Sequence, residues 1–447
     1  MNKNPKYSRR KFLGNVLKAS ASAVAVPYFI PSTALGASIS SSNRPAPSDR
    51  IVLGAIGMGG RGRYNLSHFL KFGRVQCVMV CDTMAEHRQM AKDMVDEHYD
   101  NKDCVSTRFQ EEVFEREDID AVMLAAGDRW HAVHSVMAAR AGKDVYSEKP
   151  VTLTIDEGQK LIETCKTYGT VWQCGTQRRS NPSYQSVVDI VKKGLIGNIH
   201  TITMGFGGPW PTDEVIFAKS GTQPDPDEFD YDRWLGQSPW APYSEVSVRE
   251  WRNNWATGGG LITDMGPHFL ETALWALDNK LSDHIIFSGE GEFAPDGFYN
   301  VPAALFANVQ IGDINIKMDN GEKAITFKGD QGWIKIDDWG IIDANPRSLL
   351  QYTVPGFSYR HMSDHVANFL NCIKSRKQPA SPIEVVQKTH TIAHAANLSI
   401  RLGRTLTWNT IKKQFIGDEE ANLLSSRNMR APWGSSFAGT GSMKLTG

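Results

Sequence analysis

The chain has 447 residues, which is long enough for two domains that each bury a sizeable core. Its 49 basic residues balance its 49 acidic residues, and its hydrophobic fraction of 41% is that of an ordinary globular protein. This balance gives the chain no electrostatic reason to bind nucleic acid or an anionic membrane surface, so those two functional classes are not expected.

The first basic segment has the pattern of an export signal. Residues 8–13 read Ser-Arg-Arg-Lys-Phe-Leu, which resembles the twin-arginine translocation signal, and small residues at 34–36 suit a cleavage site. The moderately apolar stretch between them is too often interrupted to insert stably as a transmembrane helix. We expect residues 1–37 to be a signal peptide read by the Tat export machinery and residues 38–49 to be a linker. The folded protein would then reach the periplasm; the alternative is a disordered basic arm.

A glycine-rich turn follows the first predicted strand. Residues 51–56 form a short apolar run typical of a buried parallel strand, and residues 65–72 carry apolar side chains at helical spacing. The residues between have the G-x-G-x-x-G spacing, which in this context places a dinucleotide diphosphate on a helix N-terminus. The predicted cofactor-binding residues of this turn are Gly57, Met58, Gly59, Gly60, Arg61 and Gly62.

An acidic residue closes the second predicted strand, residues 75–81. Asp82 lies twenty residues after Gly62, where a carboxylate accepts the ribose 2′-hydroxyl and repels a 2′-phosphate. The sequence therefore favours NAD, although the nearby Arg61 leaves NADP open. The alternative for Asp82 is a helix cap.

Strands and helices continue to alternate through residues 86–97 (helix), 119–126 (strand), 130–141 (helix) and 144–146 (strand). Alternation of this kind predicts a doubly wound parallel sheet, which we assign to residues 50–180. Ligands bind at the carboxyl ends of such strands. Asp128, Trp130 and His131 follow one of those ends, so we predict that they contact the cofactor.

Residues 141–150 read Ala-Gly-Lys-Asp-Val-Tyr-Ser-Glu-Lys-Pro and resemble the signature of the Gfo/Idh/MocA oxidoreductases. Similar motifs at 130–131, 175–179, 258–260 and 417–433 extend the resemblance over almost all of residues 51–433. The resemblance implies an N-terminal Rossmann domain and a C-terminal α+β domain with a largely antiparallel open sheet, often used in oligomers. It also implies that Glu148 and Lys149 contact the cofactor and that Lys149 lies beside the nicotinamide and the substrate hydroxyl. Burial at a strand end would disfavour the charged form of this lysine, which suits proton transfer.

Asp264 and His268 are four residues apart and would share one face of a helix. The resemblance implies that both project into the substrate pocket. Histidine is a suitable base for an alcohol proton, and Asp264 would orient it or bind a sugar hydroxyl. The alternative is a helix cap with a packed histidine. Glu271 stands where the family often has an aspartate, which leaves the role of Glu271 open.

Short alternating runs at 199–206, 305–309, 313–318, 324–328 and 332–336 favour an antiparallel sheet within residues 181–433. The tryptophan-rich insertion 207–255 either stacks on sugars or forms a packed lid. Predicted substrate residues are Arg178, Arg179, Trp251 and Arg252, besides Asp264 and His268, although the arginines could equally form exposed ion pairs. We expect helices at 365–374 and 384–402, and a disordered tail at 434–447.

The six cysteines form no Cys-x-x-Cys pair and the histidines are scattered, so we expect packed thiols and no metal.

The combined motifs predict hydride transfer between a sugar or polyol carbon and NAD. Because free NAD is scarce outside the cytosol, we expect the cofactor to be tightly bound. Alternatives are a redox-neutral glycosidase or lyase that forms a transient 3-keto sugar, and a non-catalytic sugar-binding protein. We expect a homo-oligomer.

Overall fold

The computed structural model describes residues 49–208, 210–354 and 360–438. The first half of the chain forms a six-stranded parallel sheet with strand order β3-β2-β1-β4-β5-β6. Its strands are β1 (Ile51–Ile56), β2 (Val75–Cys81), β3 (Val105–Thr107), β4 (Ala121–Leu124), β5 (Asp144–Ser147) and β6 (Trp172–Cys174). Its helices are α1 (Gly60–Leu70), α2 (Ala85–Tyr99), α3 (Gln110–Glu115), α4 (Asp128–Arg140) and α5 (Ile155–Tyr168). This confirms the predicted Rossmann sheet.

The central strands are apolar along their whole length because helices cover both faces of the sheet. Every residue of β4 is buried, and Leu53 and Ala55 of β1 are completely buried. Ile56 pairs with Cys81 on one side and with Leu124 on the other, so three strands end at one edge. The glycine turn, Asp82 and residues 125–131 therefore meet at that edge.

The second half builds a nine-stranded sheet of order β13-β12-β11-β7-β10-β9-β8-β14-β15. Only β7 and β10 pair in parallel; the other pairs are antiparallel, as predicted. The strands are β7 (Ile199–Gly205), β8 (His284–Phe293), β9 (Pro302–Ile311), β10 (Ile314–Asp319), β11 (Ala324–Gly329), β12 (Gly332–Asp337), β13 (Ile342–Asn345), β14 (Leu406–Asn409) and β15 (Gln414–Phe415). The alternating runs predicted from the sequence did not include β8, β13, β14 or β15.

Helices pack on one face of the second sheet and on the first domain. They are α6 (Pro182–Lys192), α7 (Asp213–Ile216), α8 (Tyr231–Leu235), α9 (Glu245–Arg249), α10 (Gly260–Asp264), α11 (Gly266–Ala276), α12 (Arg360–Ser375), α13 (Ile383–Leu402), α14 (Glu419–Leu424) and α15 (Trp433–Ala438). Short 3₁₀ turns occur at Gln177–Ser180, Trp251–Asn253 and Arg347–Tyr352. Phe269 of α11 and Ala396 of α13 belong to the core beneath the sheet.

Three features differ from the sequence predictions. Asp264 ends α10 and His268 lies in α11, so the two residues do not share one helix. Helix α12 packs into the core of the first domain, with Phe369 6.2 Å from Phe69 between ring centroids, although we assigned it to the second domain. Residues 434–438 continue α15 rather than opening a disordered tail, and the carbonyl of Phe437 accepts a hydrogen bond from Arg140. The predicted signal peptide and most of that tail lie outside the described residues.

Candidate active site

The glycine turn has the close approaches that a dinucleotide site needs. Gly57 has φ +84°, and a Cβ there would lie 2.4 Å from the backbone nitrogen of Ala126. A Cβ on Gly62 would lie 1.8 Å from the carbonyl oxygen of Gly57, so only glycine lets helix and strand pack here. Gly60, which begins α1, has open space where its side chain would be. The turn therefore fits a diphosphate laid on the helix N-terminus.

Two of the predicted cofactor residues have more specific positions. The Met58 side chain is completely buried, and its backbone N–H donates to the Asp82 carboxylate at 2.6 Å. The other Asp82 oxygen accepts from the N–H of Met84 at 2.9 Å and lies 3.5 Å from His87. The hydrogen bond to Asp82 raises the pKa of His87. Asp82 is thus fixed at the end of β2, and the helix-cap alternative does not apply because Met84 is the N-cap of α2.

Arg61 is bound to the protein rather than free for a phosphate. Its Nε donates to Glu148 at 2.8 Å, and its Nη2 donates to Gln177 at 3.2 Å. The amide of Asn65 donates to the same Glu148 oxygen at 2.8 Å. Burial alone would raise the pKa of Glu148, but Arg61, Asn65 and Lys149 outweigh it and the pKa lies below its ordinary value. Glu148 therefore connects α1 to the strand end that carries Lys149.

Lys149 contacts the second domain directly. Its Nζ donates to Asp264 Oδ1 at 2.6 Å and to the Asp264 carbonyl at 2.8 Å. Arg252 Nε lies 3.3 Å from the same Oδ1. Burial works against the charge on Asp264, yet the two cations hold its pKa below the ordinary value. The carboxylate is therefore ionised and its hydrogen bonds go to Lys149 and Arg252, not to His268.

Lys149 and His268 line one cavity of about 420 Å³, which also reaches Gly59, His131 and Trp251. Burial lowers the pKa of His268 well below its usual range, with nearby Arg178 and Lys149 acting in the same direction. His268 Nδ1 is buried without a hydrogen-bond partner. The imidazole is therefore neutral, and Nε2 is the nitrogen left to accept a proton.

Asp128, Trp130 and His131 lie in the first turn of α4, and His131 lines this cavity. The Nδ1 of His131 donates to the Pro150 carbonyl at 2.7 Å, and burial lowers the pKa of His131 to about 4. Burial raises the pKa of Asp128 well above its ordinary value, and its Oδ1 has no partner. Trp130 is buried and donates to the Trp234 carbonyl at 3.2 Å. Trp130 thus joins α4 to the insertion.

Arg178 and Arg179 are not among the residues that line this cavity. Arg178 forms a short ion pair with Asp338, and its guanidinium lies 4.3 Å from the Phe269 ring centroid. Arg179 Nε donates to Glu271 at 2.6 Å, which also gives Glu271 a structural partner. Both guanidinium groups thus form ion pairs, which is the alternative stated for them, and their assignment to the substrate stays a prediction. Trp251 and Arg252 do line the cavity.

Sequence reasoning assigned no role to Asn65, Gln177 or Arg129, and it treated Trp234 only as part of the tryptophan-rich insertion 207–255. Asn65 carried a signal, since it lies one turn into the helix after the glycine motif. The others depend on contacts between distant segments.

Within the described residues, no helix is long and apolar enough to cross a membrane, and no three His, Cys, Asp or Glu residues are grouped to hold a metal. The six cysteines are buried and unpaired.

Two models of one protein family match the chain. Residues 51–176 match the GFO/IDH/MocA oxidoreductase family, NAD-binding Rossmann fold, and residues 181–287 and 353–435 match its C-terminal alpha/beta domain. Among curated proteins, the uncharacterized oxidoreductase YrbE of Bacillus subtilis is 21% identical over 62% of this chain and 66% of its own length. A glycosyl hydrolase family 109 protein of Shewanella pealeana is 27% identical over 34% of each chain. The chain thus spans two thirds or less of the length of these relatives.

A solved structure shares the fold. The aldose-aldose oxidoreductase from Caulobacter crescentus, complexed with glycerol, has a TM-score of 0.60. It is 17% identical, and the alignment covers 80% of this chain and 99% of that one.

Proposed function

Since the chain belongs to the Gfo/Idh/MocA family of NAD-binding oxidoreductases, we propose that it transfers a hydride between a hydroxyl-bearing carbon of a sugar or polyol and a nicotinamide cofactor. The observation that carries this proposal is the Lys149–Asp264 ion pair beside a neutral His268, in a cavity that opens onto the glycine turn. A non-catalytic sugar-binding protein would not need these groups together.

The cofactor that fits best is NAD. A bound nicotinamide dinucleotide supplies the hydride acceptor. Gly59 and Gly60 offer backbone N–H groups to its diphosphate, and Asp82 accepts the ribose hydroxyl. Arg61, the residue that left NADP open, is held by Glu148 and Gln177, which supports NAD. A tighter affinity of the protein for NADPH than for NADH would overturn this assignment.

The proton of the substrate hydroxyl is handled by two groups. Lys149 Nζ donates a hydrogen bond to the hydroxyl oxygen while Asp264 holds the ammonium in place. His268 Nε2 accepts the proton as the C–H hydride leaves and the carbonyl forms. In the opposite direction His268 returns the proton.

We test this proposal with a screen of sugars and inositols that follows nicotinamide absorbance. With an active substrate, Lys149→Met should lower the turnover by about 10²–10⁴-fold. Lys335→Met is the matched control, because Lys335 pairs with the exposed Glu322 and does not line the cavity. Unchanged turnover in Lys149→Met would refute the mechanism.

A second candidate function is supported by the matches to glycosyl hydrolase family 109 proteins and to an alpha-N-acetylgalactosaminidase of Shewanella oneidensis, 28% identical over 34% of each chain. Oxidation at C3 would acidify the C2–H bond, and loss of that proton would expel the group at C1. Water would then add, and the hydride would return to C3. An aryl glycoside distinguishes the two functions, since only the second releases the aryl alcohol without net NADH and exchanges C2–H with solvent deuterium.

We also propose that the protein is exported folded by the twin-arginine pathway, carries its cofactor tightly bound and forms a homo-oligomer. The residue pattern at Arg9 and Arg10 supports export. Cell fractionation tests it: a variant with Arg9→Lys and Arg10→Lys should remain in the cytoplasm. Heat-denatured protein should release stoichiometric nicotinamide, and sedimentation should give a dimer or tetramer. If no nicotinamide is released, the cofactor is not tightly bound. If only a monomer sediments, the protein is not a homo-oligomer.

A further inference from the structure

Arg129 is a buried cation that forms no ion pair with a carboxylate in the part of the chain that the structure describes. It is only 1% exposed, and its Nη1 has no hydrogen-bond partner among the described residues. Its Nε donates to the Trp234 carbonyl at 2.8 Å. Burial lowers the pKa of Arg129 to about 9, so the guanidinium remains charged at neutral pH. A buried charge of this kind is costly unless something compensates it.

The neighbouring carboxyl compensates the Arg129 charge only in part, because no hydrogen bond or ion pair joins the two side chains within the described residues. Asp128 precedes Arg129 in the chain, but its Oδ1 is unpartnered and burial raises its pKa well above the ordinary value. Burial thus opposes the negative charge that would balance Arg129. Aromatic rings compensate in part, because the Arg129 guanidinium lies 3.8 Å from the Trp234 ring centroid and 6.0 Å from that of Trp251.

The unpartnered nitrogen lies at the dinucleotide side of the site. Arg129 lines a cavity of about 190 Å³ together with Gly57, Gly59 and Asp82. A Cβ placed on Gly127, which lines the same cavity, would lie 2.6 Å from Arg129 Nη1. Arg129 is not among the residues that line the Lys149 and His268 cavity. Gly59 and Gly127 line both cavities, whereas Asp82 lines only the one that Arg129 lines, so we infer that the missing partner belongs to the cofactor rather than to the substrate.

The insertion that carries Trp234 is fixed against the first domain. Ala85 N–H donates to the Glu228 carbonyl at 2.8 Å, and Asp230 N–H donates to the Thr83 carbonyl at 3.1 Å. Arg233, 6% exposed, donates to Glu111 at 2.8 Å. These contacts hold the Trp234 ring over Arg129 and join the insertion to Thr83 and Ala85, directly after Asp82.

We propose that Arg129 is a ligand of the dinucleotide diphosphate, binding it from the wall opposite the glycine turn, with the insertion holding the guanidinium in place. The inference rests on the proposed use of a dinucleotide cofactor. Guanidinium N–H groups suit phosphate oxygens in geometry and charge, and the open end of α1 supplies the facing donors. The diphosphate would supply the charge that Arg129 lacks.

The test compares a probe that carries the diphosphate with one that does not. Displacement of bound NADH by ADP and by adenosine is followed through NADH fluorescence in the wild type and in Arg129→Gln. The preference for ADP over adenosine should fall about tenfold or more, because only ADP loses a charge-assisted hydrogen bond. Arg249→Gln is the control, since Arg249 belongs to the same insertion but forms an exposed ion pair with Glu214.

An unchanged ADP-to-adenosine preference in Arg129→Gln would overturn the assignment, as would an equal loss of affinity for both probes. If Arg129→Gln does not fold, a structure of the wild-type holoenzyme decides. An Arg129 nitrogen within about 3.2 Å of a diphosphate oxygen is expected, and contact with water alone overturns the inference. If the wild type neither carries nicotinamide nor binds NADH, it is the proposed function that fails.

Discussion

Lys149 and Asp264 lie 115 positions apart in the chain, and their side chains form a 2.6 Å ion pair that joins the parallel sheet to the second domain. Asp264 is the last residue of α10, and its own carbonyl also accepts a hydrogen bond from the lysine. The lysine is thereby held by backbone and side chain of one residue. Its position in the cavity depends on how the two domains dock.

This pair should behave as one functional unit. Lys149→Met and Asp264→Asn should each reduce the turnover of an active substrate, and the double variant should be little worse than Lys149→Met, because Asp264 acts largely through the lysine. The coupling free energy should be about 1–3 kcal/mol. Steady-state kinetics of the four proteins measures it. Additive losses would mean that the two residues act independently.

The buried carboxylate of Glu148 should contribute to stability at neutral pH. Glu148→Gln should lower the free energy of unfolding by about 2 kcal/mol at pH 7 through weakened hydrogen bonds to Arg61 and Asn65. Because the folded-state pKa lies below the unfolded value of about 4.3, this contribution is present above that pH and disappears as the pH falls through the folded pKa.

Urea unfolding at pH 7 and at pH 3 to 4 measures the effect. Glu322→Gln, in an exposed pair with Lys335, should change the free energy of unfolding by less than about 0.5 kcal/mol at either pH. A Glu148→Gln deficit that does not shrink with acidification would contradict the assignment.

Gly62, the last glycine of the G-x-G-x-x-G motif, should tolerate no side chain. A Cβ on Gly62 meets the Gly57 carbonyl oxygen at 1.8 Å, so Gly62→Ala must displace the backbone of the turn. We expect a loss of stability of about 1–3 kcal/mol and weaker NADH binding. Gly60→Ala is a control for stability alone, since open space surrounds that position. Thermal unfolding compares the midpoint temperatures of Gly62→Ala and Gly60→Ala. Equal midpoints in the two variants would argue against the tight packing at Gly62.

Buried histidines should make the protein sensitive to mild acid. Burial lowers the pKa of His365 and His390 to about 4 and that of His394 to about 3. Below the unfolded value of about 6.5, the unfolded chain binds protons that the folded chain does not, so stability falls as the pH drops from 6.5 towards 4. Each such histidine contributes a slope of about 1.4 kcal/mol per pH unit.

Denaturant unfolding between pH 7 and 5 measures this slope. His394→Gln should flatten it by close to one histidine's contribution, while His200→Gln, on an exposed position of β7, should leave it unchanged. A slope that is the same in His394→Gln and the wild type would show that this imidazole is not buried neutral.

The parts of the site that could be predicted from sequence are those whose geometry is local. The glycine turn, Asp82 and Lys149 all follow strand ends, and parallel strands bring their carboxyl ends to one edge. The two-domain fold followed from the periodicity of strands and helices, together with the family resemblance.

The remaining features depend on partners that are remote in the chain. Arg178 and Arg179 are paired with carboxylates 160 and 92 residues away, and no sequence pattern announces those pairs. The break between Asp264 and His268 at Met265 is similar, since four-residue spacing alone suggests one continuous helix. Arg129 donates a hydrogen bond to Trp234, which lies 105 residues further along the chain. The surroundings of Arg129 therefore could not be predicted from the sequence.

Helix α12 completes the core of the nucleotide-binding domain although it lies near the end of the chain, at Arg360–Ser375. During synthesis the first domain therefore emerges from the ribosome with apolar side chains such as Phe69 and Tyr146 lacking their partner Phe369. A ribosome must translate past residue 375 before this core can close. We expect the cofactor to be acquired only after almost the whole polypeptide has been made, and a separately expressed N-terminal domain to aggregate.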